Sequence, residues 1–259
     1  MSAGSAPVTI SVLTGFPTLF GSLDTEGMIR VALDRGVARL RIVNLRDFTE
    51  DRHRTIDDTP YGGGPGMVLK PQPVVRALES LPPSEGGREV VLLSPKGEQL
   101  SQPILAERAK GCDLVLICGR YKAVDERIRE YVDAEWSLGD YVISGGELAA
   151  MVIIDGLLRM IPGVLGDLDS ALGDSFQSGL LDCPYYTRPE RFRESAVPEV
   201  LLSGHHEAIA RWRREQALRL TFERRPELLE DAALTAADRA ALRQWGWHPD
   251  PSRRDREEG

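Results

Sequence analysis

Short apolar runs alternate with helix-like stretches through the first half of the chain. This alternation is typical of an α/β domain whose largely parallel sheet is covered on both faces. The pattern predicts strands at residues 8–13, 38–43, 89–93 and 113–118. It also predicts helices at residues 26–35, 73–81 and 101–110, with Gly36 and Gly111 as C-terminal caps.

The pattern changes after Cys118. Two glycine-rich stretches follow, GRYKAVDER and SLGDYVISGGE, and a short apolar run within the second, residues 141–144, is predicted to be a strand. The next helix is predicted at residues 147–160. Loops of this composition usually face a ligand, because binding residues concentrate on loops held by a rigid scaffold.

The last part of the chain is predicted to be a small all-α domain. The segment GDLDSALGDSFQSG, residues 166–179, is polar and weakly patterned, which favours an interdomain linker. An amphipathic run then covers residues 205–224, and a later helix is predicted to begin at Thr235, where TAAD has the form of a capping box. The predicted domains are therefore residues 1–165 and 180–259, joined by the linker.

The composition indicates a soluble globular protein, with 42% hydrophobic and 28% charged residues. The N-terminal segment lacks the basic and apolar regions of a secretory signal. The longest apolar stretch, residues 148–165, is interrupted by Asp155, Arg159 and Pro162, so no membrane span is predicted. These features together predict a cytoplasmic protein with no membrane partner.

The three cysteines and four histidines show no metal-ligand spacing. The cysteines form no CxxC pair, and their odd number fits a reducing compartment. We therefore predict buried thiols and no tightly held metal.

Charge is distributed unevenly along the chain. The formal net charge is −8, which argues against a protein that coats DNA, because binding to phosphates requires Lys and Arg. Residues 185–225 nevertheless contain nine Arg and six Glu, a net charge of +3. This region could bind one folded RNA or simply be the solvated face of an arginine-rich helix.

Several loops carry glycine in clusters. DDTPYGGGPGM, residues 57–67, favours a tight turn over a phosphate cradle, because it lacks the GK[ST] ending of a P-loop. LSPKGEQLSQ, CGRY and SLGDYVISGGE follow predicted strand ends, which meet at one edge of a parallel sheet, where α/β proteins bind ligands. The absence of GxGxxG disfavours a dinucleotide.

These blocks together resemble a known family, the bacterial tRNA (guanine-N1)-methyltransferases of the SPOUT superfamily. The similarity covers about residues 9–229 and includes DDTPYGGGPGM, LSPKGE, ICGRY, VDERI, SLGDYVISGGELAAM, IPGVLG, DSF, LLDCPYYTRPE, VPEVLLSGHHEAIARWRREQ and RRPELL, in that order. The resemblance implies a SPOUT-type α/β fold with a mostly parallel sheet and a deep trefoil knot. It implies methylation, by S-adenosylmethionine, of N1 of the guanine immediately 3′ of the anticodon, position 37, where another G precedes it.

The resemblance also implies a homodimer in which each active site borrows the linker and helical domain of the other chain. The cofactor pocket is then expected to consist of Leu92, Leu93, Ser94, Pro95, Gly119, Tyr121, Ser137, Leu138, Gly139, Tyr141, Ile143, Gly145 and Gly146. It further implies a loosely bound Mg²⁺ near the site, which no residue spacing indicates.

Two residues match the family's catalytic positions. Asp174, in DSF, is expected to be the general base that removes the N1 proton, and Arg159 is expected to stabilise negative charge on O6. Lys122 departs from the family, which most often has glutamate there, and we expect its side chain to point outward. The residues predicted to bind tRNA are Arg188, His205, Arg211, Arg214 and Arg219.

Two other functions are compatible with parts of this pattern. A SPOUT methyltransferase for a different RNA site would share the cofactor loops, but LLDCPYYTRPE and HHEAIARWRREQ argue against it. A non-catalytic RNA-binding relative would not need Asp174 and Arg159, which are both present.

Overall fold

A computed structural model describes residues 7–23, 25–84, 86–109, 111, 113–161, 164 and 174–250. Cys112, the predicted helix end at Lys110, and residues 166–173 of the predicted linker lie outside these ranges. The chain divides into two compact units, Met1–Leu168 and Asp169–Gly259, called here the first and second unit. The predicted domain boundaries stay a prediction.

The strands and helices are numbered in chain order. The strands are β1 Val8–Thr14, β2 Ala38–Asn44, β3 Asp57–Asp58, β4 Val68–Leu69, β5 Arg88–Gln99, β6 Asp113–Cys118, β7 Ala123–Val124, β8 Ala134–Ser137, β9 Arg191–Phe192 and β10 Ser195–Ala196. The helices are α1 Gly27–Asp34, α2 Pro71–Glu79, α3 Gln102–Arg108, α4 Gly146–Leu158, α5 Glu199–Leu202, α6 His206–Arg224 and α7 Ala236–Gln244. Short 3-10 helices cover Pro17–Phe20, Leu45–Phe48, Glu126–Tyr131 and Pro226–Glu230.

The first unit contains a five-stranded sheet in the order β2-β1-β6-β5-β8, and all its neighbouring strands are parallel. Successive residues of a strand point to opposite faces. Accordingly, Ile10 and Val12 lie in a core cluster with α4, whereas Leu13 lies in a second cluster with α2. The predicted α/β class and largely parallel sheet are thereby confirmed.

Helix α1 ends as its sequence predicts. Gly36 has a φ of +66°, and its N–H donates to the Leu33 carbonyl at 3.0 Å. The N–H of Val37 donates to the Ala32 carbonyl at 3.2 Å. These two bonds form a Schellman motif, in which glycine is favoured because L side chains rarely adopt that φ.

The predicted strand at residues 141–144 is wrong. The strand that joins the sheet is β8, a few residues upstream, whose Trp136 and Ser137 are buried against β5. Tyr141 and Val142 lie in the loop after it and are 57% and 85% exposed. Their apolar side chains suggested burial, but the sheet position was already occupied by β8.

Strand β5 is longer than predicted, because the chain pairs with β8 on both sides of an irregularity. Leu93 pairs with Trp136, the register shifts, and Glu98 pairs with Trp136 again. Gly97 lies in this bulge, where a Cβ would be 2.3 Å from the carbonyl carbon of Glu135. Only glycine permits this close approach of two backbones.

A second, three-stranded sheet in the order β3-β4-β7 joins the glycine-rich turn to the segment after β6. Its strands are only two residues long, and β4 pairs in parallel with β7. In the turn between β3 and β4, Gly62, Gly63 and Gly64 all have positive φ, as the prediction of a tight turn requires.

The second unit is mainly helical, with a core that includes Leu180, Leu218, Leu229 and Leu242. Helix α6 matches the predicted run within one residue, and α7 follows Thr235 with a complete capping box. The antiparallel pair β9 and β10 adds a short hairpin to the predicted all-α domain.

Candidate active site

A cavity of about 370 Å³ lies beside the irregularity in β5 and at the carboxyl ends of β6 and β8. This is the edge of a parallel sheet where α/β proteins bind ligands, and the volume is within the range of small-molecule sites. Its walls come from residues 92–96, from residues 119–126 after β6, and from residues 135–139 and 141–146 up to the start of α4. Arg129 of the 3-10 helix and Ala149 of α4 complete it.

The cavity brings together every residue predicted to bind the cofactor. These residues are Leu92, Leu93, Ser94, Pro95, Gly119, Tyr121, Ser137, Leu138, Gly139, Tyr141, Ile143, Gly145 and Gly146. Their role as cofactor ligands stays a prediction, but they converge in space although they come from three separate stretches of the chain.

Charged residues at the cavity were missed by the sequence analysis. Arg129 donates to Glu135 through Nη2 at 3.0 Å and lies 2.5 Å from Glu126 through Nε. Hydrogen bonding to Glu135 raises the pKa of Arg129. The block VDERI was recognised, yet no spacing within it signals that these side chains line a cavity. The cavity therefore combines apolar walls with fixed charges of both signs.

Glycine backbones form part of the wall because side chains would not fit there. A Cβ on Gly146 would lie 2.8 Å from Cα of Cys118, and one on Gly119 would lie 2.6 Å from the carbonyl oxygen of Leu93. The Gly146 N–H also donates to the Gly119 carbonyl at 2.7 Å. The start of α4 is thus in direct backbone contact with the loop after β6.

The loop after β6 contains a strained tyrosine. Tyr121 has a φ of +64°, which is rare for residues with a side chain. Partial burial raises the pKa of Tyr121, and the charge of Asp57, which accepts its hydrogen bond, raises it further. The next residue, Lys122, donates its N–H to the Met67 carbonyl at 3.0 Å. The glycine-rich turn is therefore hydrogen-bonded to a loop that lines the cavity.

Lys122 lines the cavity and is exposed. Its Cβ is close to Gly66, where an added Cβ would lie 3.0 Å away. Exposure agrees with the expectation that its ammonium faces solvent.

The two predicted catalytic residues lie in different units. Arg159 follows the last residue of α4 and is half-buried, and its N–H donates to the Asp155 carbonyl at 3.2 Å. Asp174 begins the described part of the second unit and is half-buried in a turn that includes Phe176, whose φ is +74°. Neither residue is among those that line the cavity in the first unit.

The predicted RNA-binding residues differ in their surroundings. Arg214 binds Asp238 at 2.8 Å, and Arg219 pairs with Glu223 one turn along the same helix. His205 caps α6, where its Nδ1 accepts the Ala208 N–H at 3.2 Å. Arg188 and Arg211 are exposed.

Exposed aromatic side chains in this arginine-rich region were also missed. Tyr185 and Tyr186 are 67% and 49% exposed, and the Arg213 guanidinium lies 5.8 Å from the Tyr185 ring centre. The Tyr186 and Trp212 rings are 6.4 Å apart. Partial burial, with a hydrogen bond to Asp182, raises the pKa of Tyr185 to about 12. The block LLDCPYYTRPE carried the signal as a pair of adjacent tyrosines.

Metal-binding clusters and membrane-spanning helices are both absent from the described ranges. No group of three or more His, Cys, Asp or Glu side chains is placed to hold a metal ion. No helix in the same ranges is long and apolar enough to span a membrane.

Comparison with known proteins gives one consistent family. The family model described as tRNA (Guanine-1)-methyltransferase TrmD matches residues 8–231. A tRNA (guanine-N(1)-)-methyltransferase of Dictyoglomus turgidum is 49% identical over 235 residues, 91% of this chain and 95% of the relative. Relatives with the same name from Geobacillus kaustophilus and Pseudomonas paraeruginosa are 48% and 50% identical, each over 91% of this chain and over 97% and 95% of their own lengths.

Proposed function

The chain belongs to the tRNA (guanine-1)-methyltransferase family, and on that premise we propose that it uses S-adenosylmethionine to methylate N1 of a guanine in tRNA. We place the target immediately 3′ of the anticodon, at position 37, after another guanosine. The main support for the proposal is that all the predicted cofactor residues line one cavity. The resemblance to this family also leads us to propose that the chain of the first unit forms a trefoil knot.

The cavity residues fit the proposed cofactor. Leu92, Trp136 and Leu138 offer apolar surface for an adenine ring, and the glycine walls let a ligand approach the backbone closely. S-adenosylmethionine has a cationic sulfonium and an amino acid group with charges of both signs. Carboxylates and basic side chains both line the cavity, Glu126 and Lys96 among them, so the cavity wall carries charges of both signs.

Bound S-adenosylmethionine supplies an electrophilic methyl group for in-line displacement. The chain's own residues must then manage the proton on N1. We assign Asp174 as the general base, a role that typically contributes roughly 10²–10⁴-fold in rate. As N1 loses its proton, negative charge develops on O6, and the Arg159 guanidinium stabilises it there.

The surface of the first unit supports the proposed homodimer. Leu148 and Val152 are 53% and 52% exposed one turn apart on α4, and Tyr141 and Val142, which line the cavity, are also exposed. Contiguous apolar surface usually marks an interface. We propose that a second copy of the chain covers it, and that each active site uses the linker and helical unit of the partner subunit.

The second unit supports tRNA binding. Exposed tyrosines beside arginines suit RNA loops, whose unstacked bases stack on aromatic rings and whose phosphates attract guanidinium groups. Tyr185, Tyr186 and Arg213 form such a surface, in the region that carries a net charge of +3.

We propose a cytoplasmic location for the enzyme and a loosely bound Mg²⁺ near its active site. Both proposals are based on the family resemblance alone.

The direct test is methylation of tRNA transcripts with labelled S-adenosylmethionine, followed by mass spectrometry of the nucleosides. We expect 1-methylguanosine at position 37, and a loss of methylation of roughly 5- to 150-fold when the preceding G is changed, since one misrecognised base costs roughly 1–3 kcal/mol. Methylation elsewhere would favour a SPOUT enzyme for another RNA site. No methylation, with tRNA still bound, would favour a non-catalytic relative.

Variants separate the proposed roles. Asp174→Asn should abolish turnover but leave cofactor binding intact, since a base acts on the chemical step. Arg159→Ala should lower the rate more than binding. Mixing Asp174→Asn chains with Gly145→Trp chains should restore activity if sites are shared between subunits. No restoration, after subunit exchange is demonstrated, would place each site within one chain.

A further inference from the structure

The side chain of Glu147 is buried beneath the cavity without lining it. It is 2% exposed and lies in the first turn of α4, where the positive end of the helix dipole favours a carboxylate. A buried carboxylate is costly unless it is paired and hydrogen-bonded. The partners of Glu147 therefore indicate why it is there.

Both carboxylate oxygens of Glu147 have partners far away in sequence. Thr14 Oγ1, fully buried at the end of β1, donates to Oε1 at 2.9 Å. Arg120 Nε, in the loop after β6, lies 3.5 Å from Oε2. Within the described part of the chain Arg120 Nε is buried without a hydrogen-bond acceptor, so its contact with Glu147 is an ion pair and not a hydrogen bond.

The contacts close into a ring through Phe16. Its N–H donates to Thr14 Oγ1 at 2.9 Å, and its aromatic ring lies 3.7 Å from the Arg120 guanidinium carbon. A guanidinium over an aromatic face is attracted by the ring quadrupole. Arg120 is therefore held by a carboxylate and an aromatic ring from two other segments.

This ring of contacts adjoins the cavity wall. Arg120 forms an isolated β-bridge with Gly145, and both residues line the cavity. A Cβ on Gly145 would lie 2.3 Å from Glu147 Oε2 and 2.9 Å from Arg120 Nε. The glycine at this position thus lets the loop before α4 lie against the ion pair.

We propose that Glu147 is a positioning residue for cofactor binding, which acts through Arg120 to hold two walls of the cavity in register. This inference rests on the proposed use of S-adenosylmethionine by the cavity. Glu147 itself does not touch the ligand. Its removal releases Arg120 and the loop that contains Gly145, so the cavity loses its preformed shape and the cofactor binds more weakly.

The test is calorimetric binding of S-adenosylmethionine to the full-length chain. Glu147→Gln keeps the shape of the side chain but removes its charge, and we expect at least a tenfold rise in Kd. Thr14→Val should raise Kd by a smaller factor. Glu89→Gln is the matched control, because Glu89 pairs with Arg108 at 2.6 Å in the same unit, near the start of β5 and away from the cavity. Its Kd should stay within twofold of the wild type.

A double-variant comparison tests whether Glu147 acts through Arg120. If it does, Glu147→Gln with Arg120→Gln should bind within about twofold of the weaker single variant. If the losses in affinity of the two single variants multiply in the double variant, Glu147 does not act through Arg120. In steady-state assays KM for the cofactor should rise, while kcat and KM for tRNA change little.

Stability measured by urea unfolding separates positioning from folding. If Glu147→Gln lowers stability no more than Glu89→Gln yet weakens cofactor binding, the positioning role is supported. An unchanged Kd in a folded Glu147→Gln chain overturns it. If the wild-type chain itself fails to bind S-adenosylmethionine, the proposed function fails first, and this inference fails with it.

Discussion

Glu147 and Asp238 are both buried carboxylates that bind a threonine and an arginine, but they lie in different units. Asp238 Oδ2 accepts the N–H of Thr235 at 2.9 Å, and Arg214 Nη2 donates to it at 2.8 Å. This cluster caps α7 and ties it to α6. The cluster around Glu147 joins loops at the cavity.

The difference lies in how far along the chain each carboxylate reaches. Asp238 binds residues 3 and 24 positions away, whereas Glu147 accepts from a residue 133 positions away. The first cluster stabilises one helix pair, so its loss should affect folding of the second unit. The second cluster holds the walls of a ligand cavity, so its loss should affect binding.

The largest expected effect is a loss of folding stability in the second unit. Asp238→Ala removes a helix cap and leaves Arg214 without its carboxylate. Breaking a buried ion pair costs about 3–5 kcal/mol, but Arg214 is 35% exposed and can be hydrated, so we expect about 2–3 kcal/mol. Hydrogen exchange resolved by peptide should show the loss in α6 and α7. An equal loss of protection from exchange in the five-stranded sheet, or weaker cofactor binding, would contradict the assignment of Asp238 to folding and of Glu147 to binding.

Gly146→Ala should give the next largest effect, which is weaker binding of the cofactor to the cavity. The added Cβ meets Cα of Cys118 at 2.8 Å, and backbone cannot yield as a flexible side chain can. Overpacking of this kind typically costs about 1–3 kcal/mol. We expect cofactor affinity to fall more than tenfold by calorimetry. Gly21→Ala is the control, since its Cβ would meet only Thr18 O at an ordinary 3.4 Å. Similar affinities for the two variants would refute the close-packing argument.

Lowering the pH should gradually reduce the stability of the second unit. Burial acts to raise the pKa of Asp238, but hydrogen bonds from Arg214 and Thr235 outweigh it, so the pKa in the folded state is lowered. A carboxylate with a lowered folded pKa contributes stability above its unfolded pKa of about 3.9, and that stability is lost as pH falls through the folded value. Urea unfolding of α6 and α7 should therefore become easier below about pH 4. Asp238→Asn should flatten this dependence, and an unchanged slope would exclude Asp238 as its source.

The smallest effect is expected at Lys122, an exposed charge beside the cavity. Exposed charge contacts are typically worth about 0–1 kcal/mol, so Lys122→Ala should change cofactor Kd and turnover by less than roughly tenfold. Lys122→Glu should be tolerated. The comparison is with Asp174→Asn in the same assay. If both variants are equally inactive, Lys122 has a direct role that neither its exposure nor the family resemblance indicates.

Features that depend on neighbouring residues followed from the sequence by itself. The TAAD spacing predicted the Thr235–Asp238 capping box, and Gly36 predicted the end of α1. Apolar runs predicted four strands of the parallel sheet, because burial on both faces selects continuous apolar residues. Ordered motifs matched to a family predicted thirteen of the residues that line the cavity.

Tertiary structure decided what these local signals could not. The apolar residues Tyr141 and Val142 predicted a strand, but the sheet position belongs to β8, and strand pairing depends on competition between segments. Glu147 lies in a helix whose sequence says nothing of Thr14 or Arg120. Local hydrogen bonds follow from residue spacing, whereas a buried carboxylate acquires distant partners only when the packed sheet brings the ends of its strands together.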